Sequence, residues 1–233
     1  GAPTGGPFRP INTSGDVQIC EHMPLMAKQM HNAAIIRSMS TREADHMRGR
    51  YYMHTGYVPN PNMTHPSYGS VISHQLQRPE VSIPKFISVG GSSMGAGFLG
   101  AKYSPFVVNS DGRIRNLDMK VDQRFYQRAY ALDAIENNFI NQRRGSVAKE
   151  HQAILKEAFG VLTSSQMDAL KVAGEPENVK ERYGDNGFGK GCLMARRLVE
   201  AGVPFIEVNL GGWDNHQNIH PMLRDTKLPM LDQ

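Results

Sequence analysis

The sequence predicts an α/β fold in which a central mixed sheet is flanked by helices. Three short apolar runs, "AAIIRSM", "KFISVGG" and "PFIEVNL", alternate with longer segments of helical periodicity. Such runs are typical of strands buried on both faces, and their alternation with helices favours a layered arrangement. The chain has 233 residues, 39% of them hydrophobic and 21% charged, which is enough to bury a sizeable core. We therefore expect one domain over residues 1–233.

The first part of the chain reads as a polar entry followed by a helix and a strand. Residues 1–16 are rich in Gly, Pro, Thr and Ser, which predicts an irregular entry segment. Met23, Met26 and Met30 then recur at close to helical spacing, so a short helix is expected. The run at 33–39 contains β-branched residues and is too short for an ordinary helix, so it is predicted as the first buried strand.

The middle of the chain is predicted to be mainly helical. A helix is expected over 65–76, a second buried strand over 85–91, and a flexible glycine-rich loop over 92–106. From about 119 to 144 the apolar residues follow the i, i+3, i+4 rule, which predicts a further helix, and helical character continues over 146–173. The apolar positions of the 119–144 helix are Phe125, Ala129, Leu132, Ile135 and Phe139.

The segment 184–216 predicts a helix, a tight turn and a strand in that order. Asp185 or Asn186 is expected to cap the helix, and Gly202 to occupy the position just after its end. The spacing predicts that four residues share the buried face of the helix: Phe188, Cys192, Ala195 and Val199. The strand "PFIEVNL" follows, and it leads directly into "GGWDNH".

"GGWDNH" is the first candidate site. In open α/β sheets the ligand lies outside the carboxyl ends of the strands, which is where this stretch falls. Asp214 and His216 are two residues apart, so in an extended segment both point to the same side and can share a metal ion such as Zn²⁺ or Mn²⁺. His220 would join them if the following segment turns helical. Alternatively, Asp214 caps the next helix and His216 is an exposed polar residue.

The second candidate site is "EADHMRGRYYMHTGY", which also follows a predicted strand. It is rich in side chains that bind an anionic group through charge-assisted hydrogen bonds or complete a metal site. The candidates are His46, Arg48, Arg50 and His54. The alternative is a solvated loop, or the start of an amphipathic helix whose tyrosines pack inward.

Several function classes have little support. Lys and Arg are scattered despite a net charge of +4, so we expect no nucleic-acid partner. No apolar run approaches the length of a membrane span, so none is expected in this chain. The glycine-rich stretch after residue 90 lacks the Lys-Ser/Thr of a P-loop, and no GxSxG elbow is present. The two cysteines, Cys20 and Cys192, indicate neither a zinc knuckle nor a disulfide framework.

Five stretches in order resemble one bacterial family. They are "GGPFRPINTSGDVQICEHMPLMA", "AAIIRSMSTREADHMRGRYYMHTGYVPNP", "HPSYGSVISHQL", "GAGFLGAKYSPFVV" and "YGDNGFGKGCLMARRLVEAGVPFIEVNLGGWDNH". Together they run along nearly the whole chain and are similar to the domain of unknown function family 1501. That family is abundant in planctomycetes and is grouped with the alkaline phosphatase and sulfatase superfamily.

The resemblance implies an alkaline phosphatase/sulfatase-like fold and an exported, metal-dependent hydrolase of phosphate or sulfate esters. "GGWDNH" corresponds to one of the superfamily's metal-ligand elements, which makes Asp214 and His216 the implied ligands of a divalent metal, zinc or similar. An early aspartate segment would lie before Gly1, and a late Asp-His segment beyond Gln233. The resemblance therefore implies an incomplete domain, in which no nucleophile is assigned.

Two functions follow as hypotheses. In the first, Asp214 and His216 hold the metal, His46, Arg48 and Arg50 steady the anionic group, and His54 supports them. The substrate would be a small anionic ester. In the second, the chain is a catalytically inactive exported protein that binds a sulfated or phosphorylated polysaccharide or a cell-surface ligand, because a fold does not guarantee an activity.

Overall fold

The computed structural model describes most of the chain on either side of a central gap. Described are residues 6–76, 78–111 and 163–233, together with the separate positions 124, 127, 130, 131, 134, 137, 160 and 161. The strands are β1 (Pro10–Asn12), β2 (Gln18–Cys20), β3 (Phe86–Val89), β4 (Phe106–Val108) and β5 (Phe205–Val208). The α-helices are α1 (Pro24–Gln29), α2 (His46–Thr55), α3 (Tyr68–Gln75), α4 (Glu177–Tyr183), α5 (Gly187–Glu200), α6 (Ile219–Met222) and α7 (Leu228–Asp232).

The central sheet has three parallel strands in the order β4-β3-β5. Ile87 pairs with Phe106 on one side, and Val89 pairs with Val208 on the other. The α/β class and the strands predicted around β3 and β5 are confirmed. The sheet is parallel rather than mixed within the described residues, because the antiparallel pair β1-β2 forms a separate ribbon.

Helices cover both faces of this sheet, as the apolar runs predict. All four residues of β3 are buried. On one face Met194 and Leu198 of α5 are fully buried in a cluster with Ile87 and Val89. On the opposite face Gly69 of α3 lies so close to the Phe86 and Phe205 rings that an added Cβ would be 2.6 Å from each. Burial of the apolar side chains between these layers is the main source of stability.

The ends of α5 match the sequence prediction, but its buried face does not. Asn186 caps the helix by accepting a hydrogen bond from the Gly189 backbone N–H at 2.8 Å, and Gly202 follows its end with a φ of 89°. The predicted face includes Val199, which is exposed. The helix packs instead through the face that contains Gly191, where a missing side chain allows close approach to Val208 and Val89.

The predicted strand at 33–39 is wrong. The segment forms no regular secondary structure, and its side chains are exposed, Ile36 by 69%. A strand requires a partner for its backbone groups, and none of the described residues pairs with this segment. The apolar composition of the segment favours a strand, but the local sequence does not show which strand would pair with it.

Other boundaries also differ from the expectation. The predicted irregular segment 1–16 contains β1, which the hairpin with β2 stabilises. The predicted loop 92–106 contains two 3₁₀ turns, Gly97–Leu99 and Ala101–Tyr103, and runs into β4. Residues 165–170 and 172–174 are 3₁₀ rather than α-helical.

The predicted helix over 119–144 lies largely outside the described residues. Six of its positions are described, and all are helical and exposed: Arg124, Gln127, Tyr130, Ala131, Ala134 and Asn137. Its apolar positions, and the predicted helical segment 146–159, fall outside the described part. No described helix is both long and apolar enough to span a bilayer.

The C-terminal helix α7 contacts the N-terminus of α1. Asp232 accepts hydrogen bonds from the backbone N–H groups of Leu25 and Met26, at 2.9 Å and 2.6 Å. The residue before α1, Met23, has no side chain that can cap the helix. A carboxylate at a helix N-terminus satisfies donors that the helix itself leaves unpaired.

Candidate functional site at the carboxyl ends of the strands

The candidate site lies where β3 and β5 end. Because these strands are parallel, their carboxyl ends meet at one edge of the sheet. The loop after β3 contains Ser92 and Ser93, and the loop after β5 contains "GGWDNH". Helix α2 lies alongside both loops through the contacts described below.

The "GGWDNH" loop is held by three hydrogen bonds to backbone carbonyls, two of them within the loop and one at the preceding Leu210. Lys227 Nζ donates to the Gly211 carbonyl at 2.9 Å, and Trp213 Nε1 donates to the Leu210 carbonyl at 2.9 Å. Asn215 Nδ2 donates to the Gly212 carbonyl at 3.2 Å. Gly212 has a φ of 77°, where a side chain would be strained. The loop is thus fixed although it forms no helix or strand.

Asp214 contacts two imidazoles at once. Its Oδ1 lies 2.9 Å from His216 Nε2, and its Oδ2 lies 3.3 Å from His46 Nε2. The side chain of Asp214 is 56% exposed, and both histidine side chains are 81% exposed. Contacts between side chains this exposed contribute little to stability. We call these three residues the Asp214 cluster.

The Asp214 cluster combines the two candidate sites of the sequence. Asp214 and His216 lie together, as their spacing predicts. His46, predicted to contact an anionic group, joins them from the first turn of α2, which Asp45 caps by accepting from the Arg48 backbone N–H at 2.9 Å. The alternative role for Asp214 as a helix cap does not apply, because the N-cap residue of α6 is Asn218.

His220 does not join the cluster, although its segment is helical. Its ring packs edge-on against Phe8, with 5.4 Å between the ring centroids. The tyrosines of α2 are half-buried, and the Tyr51 hydroxyl lies 3.0 Å from His65 Nδ1. The second candidate segment is therefore a helix whose tyrosines turn inward, while its histidines face the strand ends.

His46, Arg50 and His54 form a stripe on one side of α2, because they are spaced by four residues. Arg50 donates a short hydrogen bond to the Ser92 carbonyl in the loop after β3. His54 Nδ1 lies 3.6 Å from Glu207 Oε2. The stripe thus runs across the carboxyl ends of both strands.

Arg48 is not part of this stripe. Its guanidinium makes a two-point contact with Glu43, with Nε to Oε2 at 2.6 Å and NH2 to Oε1 at 3.0 Å. The hydrogen bond to Glu43 is the main reason why the pKa of Arg48 is raised. The structure therefore brings three of the four predicted anion-binding residues to the strand ends and engages the fourth elsewhere.

Glu207 is a polar residue of this region that the sequence analysis did not single out. It sits in the middle of β5, accepts a hydrogen bond from Ser93 Oγ at 2.5 Å, and has one oxygen, Oε1, that is buried without a partner among the described residues. It borders a cavity of about 460 Å³ that also reaches Met53, His54 and Tyr68. The sequence feature that could have identified Glu207 is a carboxylate within an otherwise apolar strand.

The donor types of the Asp214 cluster suit a divalent metal, but the cluster is not a preformed metal site. Carboxylate oxygen and imidazole nitrogen are ordinary Zn²⁺ ligands, and two such ligands of a tetrahedral ion lie about 3.3 Å apart. The separation of His46 from Asp214 is close to that value. However, in the part of the chain that the structure describes, no three His, Cys, Asp or Glu side chains already converge on one point.

Comparison with known proteins identifies the family of the chain. The family model described as "Protein of unknown function (DUF1501)" matches residues 6–233. No curated protein and no solved structure matches the chain.

Proposed function

We propose, given that the chain belongs to the DUF1501 family, that it is an exported hydrolase of phosphate or sulfate esters that depends on a divalent metal. The observation that carries the proposal is the contact of one carboxylate, Asp214, with two imidazoles from separate parts of the chain. The proposal includes the alkaline phosphatase/sulfatase-like fold that the sequence motifs imply.

Asp214, His216 and His46 are the residues that would hold the metal. All three side chains are largely exposed, so they are free to rotate about their side-chain bonds toward a bound ion. The loop that carries Asp214 is fixed through Lys227, which limits the movement needed on that side. A bound divalent ion would polarise an ester oxygen and stabilise the negative charge that develops there.

The α2 stripe supports an anionic substrate at this edge. Arg50 carries a positive charge next to the Asp214 cluster on the same helix face, and a long guanidinium side chain suits phosphate or sulfate oxygens. Arg50 also holds the loop after β3 through the Ser92 carbonyl. His54 supports the stripe from the side of Glu207. Arg48 is the least suited of the four residues to contact the substrate, because its guanidinium is paired with Glu43.

Metal content measured by elemental mass spectrometry tests the proposal without relying on activity. We expect Asp214→Asn, His216→Ala and His46→Ala each to lower the metal bound by purified protein. Asp16→Asn and His31→Ala are matched controls, because both residues are exposed and lie outside the Asp214 cluster. Unchanged metal content in all three cluster variants rejects the assignment.

Turnover separates the enzyme from the alternative of a catalytically inactive binding protein. Aryl phosphate and aryl sulfate esters are the probes, assayed with and without a chelator. Turnover that a chelator abolishes supports the hydrolase. Saturable binding of a sulfated polysaccharide without turnover of either ester supports the binding protein instead.

A further inference from the structure

The cavity of about 460 Å³ beside the α2 stripe lies between α2, α3 and β5. Its volume falls within the range of small-molecule sites, about 300–1,000 Å³. His54 and Glu207 supply polar groups to its wall, and none of the described residues that line it is a lysine or an arginine. The apolar side chains of the wall are Met53, Tyr68, Phe205, Val208 and Leu210.

The wall of the cavity is held in place by close packing. The Phe205 ring packs edge-to-face on the buried Phe86, with 5.1 Å between the ring centroids, and Gly69 lies directly against it. The Tyr68 hydroxyl lies against Gly56, where an added Cβ would be 2.9 Å from the hydroxyl oxygen. Because the wall is already ordered, little conformational entropy is lost when a ligand enters.

Glu207 and His54 form the polar end of the cavity. Ser93 Oγ donates to Glu207 Oε2 at 2.5 Å, and His54 Nδ1 lies 3.6 Å from the same oxygen. A carboxylate beside Nδ1 favours the neutral tautomer with its proton on that nitrogen, which leaves Nε2 as a hydrogen-bond acceptor. The His54 side chain is 29% exposed and lines the cavity, so it is accessible to a ligand that donates a hydrogen bond.

The charges on the two sides of His54 favour different parts of a substrate. The Glu207 side chain is only 17% exposed, so water screens its negative charge incompletely. A neutral group is therefore favoured in the cavity over an anionic one. Arg50, one helical turn before His54, carries a positive charge. The anionic group of an ester is thus favoured beside Arg50 and the Asp214 cluster, and its alcohol is favoured in the cavity.

The length of α2 indicates the size of that alcohol. Residues 46 and 54 are eight positions apart in the helix, which corresponds to about 12 Å along its axis. A methyl group on an ester bound near His46 is too short to cover this distance, whereas an alcohol with one or two rings covers most of it. The aromatic side chains of the wall suit the faces and edges of such rings.

We propose that the cavity binds a neutral ring that carries a hydroxyl group. The ring packs on the apolar wall that includes Tyr68 and Phe205, and its hydroxyl donates a hydrogen bond to His54 Nε2. In a statement that rests on the proposed function, this ring is the alcohol that the ester releases. A second anionic group on that alcohol is disfavoured by Glu207.

Fluorescence titration with 2-naphthol tests the cavity without relying on metal or turnover. 2-Naphthoate is the matched probe, because it has the same rings and a carboxylate in place of the hydroxyl. Near neutral pH we expect saturable binding of 2-naphthol and a dissociation constant about tenfold higher for 2-naphthoate. Glu207→Gln removes the charge and keeps the size of the side chain, so it should lower the dissociation constant of 2-naphthoate about tenfold.

Variants of the wall show whether 2-naphthol binds in this cavity. Tyr68→Ala should raise its dissociation constant about tenfold, because the rings lose an aromatic contact. His54→Phe should raise it about fivefold through loss of the hydrogen-bond acceptor. Tyr57→Ala is the matched control, because Tyr57 is exposed by 57%, against 52% for Tyr68, and lies outside the cavity lining. Circular dichroism spectra should match the wild type in all three variants.

Hydrolysis of 2-naphthyl phosphate connects the cavity with the proposed function. Tyr68→Ala should raise KM for this ester and leave KM for methyl phosphate unchanged, since a methyl group does not reach the cavity. If 2-naphthol binds as expected and the ester is not hydrolysed, the hydrolase is rejected and the cavity assignment stands.

Two outcomes would overturn the cavity assignment, whether or not the ester is hydrolysed. One is that 2-naphthol does not bind, or that it binds equally tightly to Tyr68→Ala and Tyr57→Ala. The other is that the wild type binds 2-naphthol and 2-naphthoate with equal affinity.

Discussion

Replacing Gly69 by alanine should destabilise the protein although alanine is the better helix former. Gly69 lies in the first turn of α3, against the sheet. The new Cβ would lie 2.6 Å from ring atoms of both Phe86 and Phe205, well inside ordinary contact distance. Phe86 is 1% exposed, and the two rings pack edge-to-face with their centroids 5.1 Å apart, so neither ring can move away freely.

The expected magnitude is the difference of two opposing effects. Overpacking of a well-packed core costs about 1–3 kcal/mol. Alanine recovers up to about 1 kcal/mol through its helix propensity. We therefore expect Gly69→Ala to lower the free energy of unfolding by up to about 3 kcal/mol, which corresponds to a fall in Tm of up to about 12 °C for a chain of this size.

The assay is urea and thermal unfolding followed by far-ultraviolet circular dichroism. Gly174→Ala is the matched control, because a Cβ at Gly174 meets nothing within 4 Å. The control should be as stable as the wild type or slightly more so. If Gly69→Ala is equally stable, α3 does not approach the sheet this closely, and the reasoning on the packing of β5 fails with it.

Three further predictions concern the other side of the sheet. Met194→Ala should lower the free energy of unfolding by about 2–5 kcal/mol, since Met194 is fully buried, whereas Met63→Ala at an exposed site should change it little. Asn186→Ala should cost about 0.5–2 kcal/mol through loss of the α5 cap, and a urea midpoint equal to that of the wild type would argue against this cap. The pKa of Glu175 lies below its ordinary value, mainly because Arg197 donates a hydrogen bond to this carboxylate. The carboxylate therefore stabilises the protein at pH values above the unfolded-state pKa, and this stabilisation is lost as the pH falls through the lower folded-state pKa. Glu175→Gln should therefore be less stable than the wild type at pH 7, by a margin that narrows on acidification; a margin independent of pH in urea titrations would contradict this.

Local pattern was enough to locate the strands that are buried on both faces. "KFISV" and "PFIEV" combine β-branched and aromatic residues with a helix nearby, and both form strands. "AAIIRSM" also contains β-branched residues, although no aromatic one, and forms no strand among the described residues, because strand formation depends on a partner elsewhere in the sequence. The short strand β4 was missed for a related reason: its three residues alternate in exposure and acquire a strand identity only by pairing with β3.

Part of the candidate site can likewise be predicted from the sequence, and part of it cannot. The contact between Asp214 and His216 follows from a spacing of two residues, which the sequence displays directly. The arrival of His46 at Asp214 joins positions far apart in the chain and depends on how α2 lies across the strand ends. Glu207 shows in the sequence only as a single carboxylate within an apolar run, and its partners, Ser93 and His54, become evident only in the structure.

Because Asp232 of α7 caps the N-terminus of α1, the stability of α1 depends on a residue from the other end of the described chain. Loss of the Asp232 carboxylate would fray a helix that begins more than two hundred positions earlier in the chain. Limited digestion of Asp232→Ala should therefore open new cleavage points around α1, far in sequence from the substituted residue.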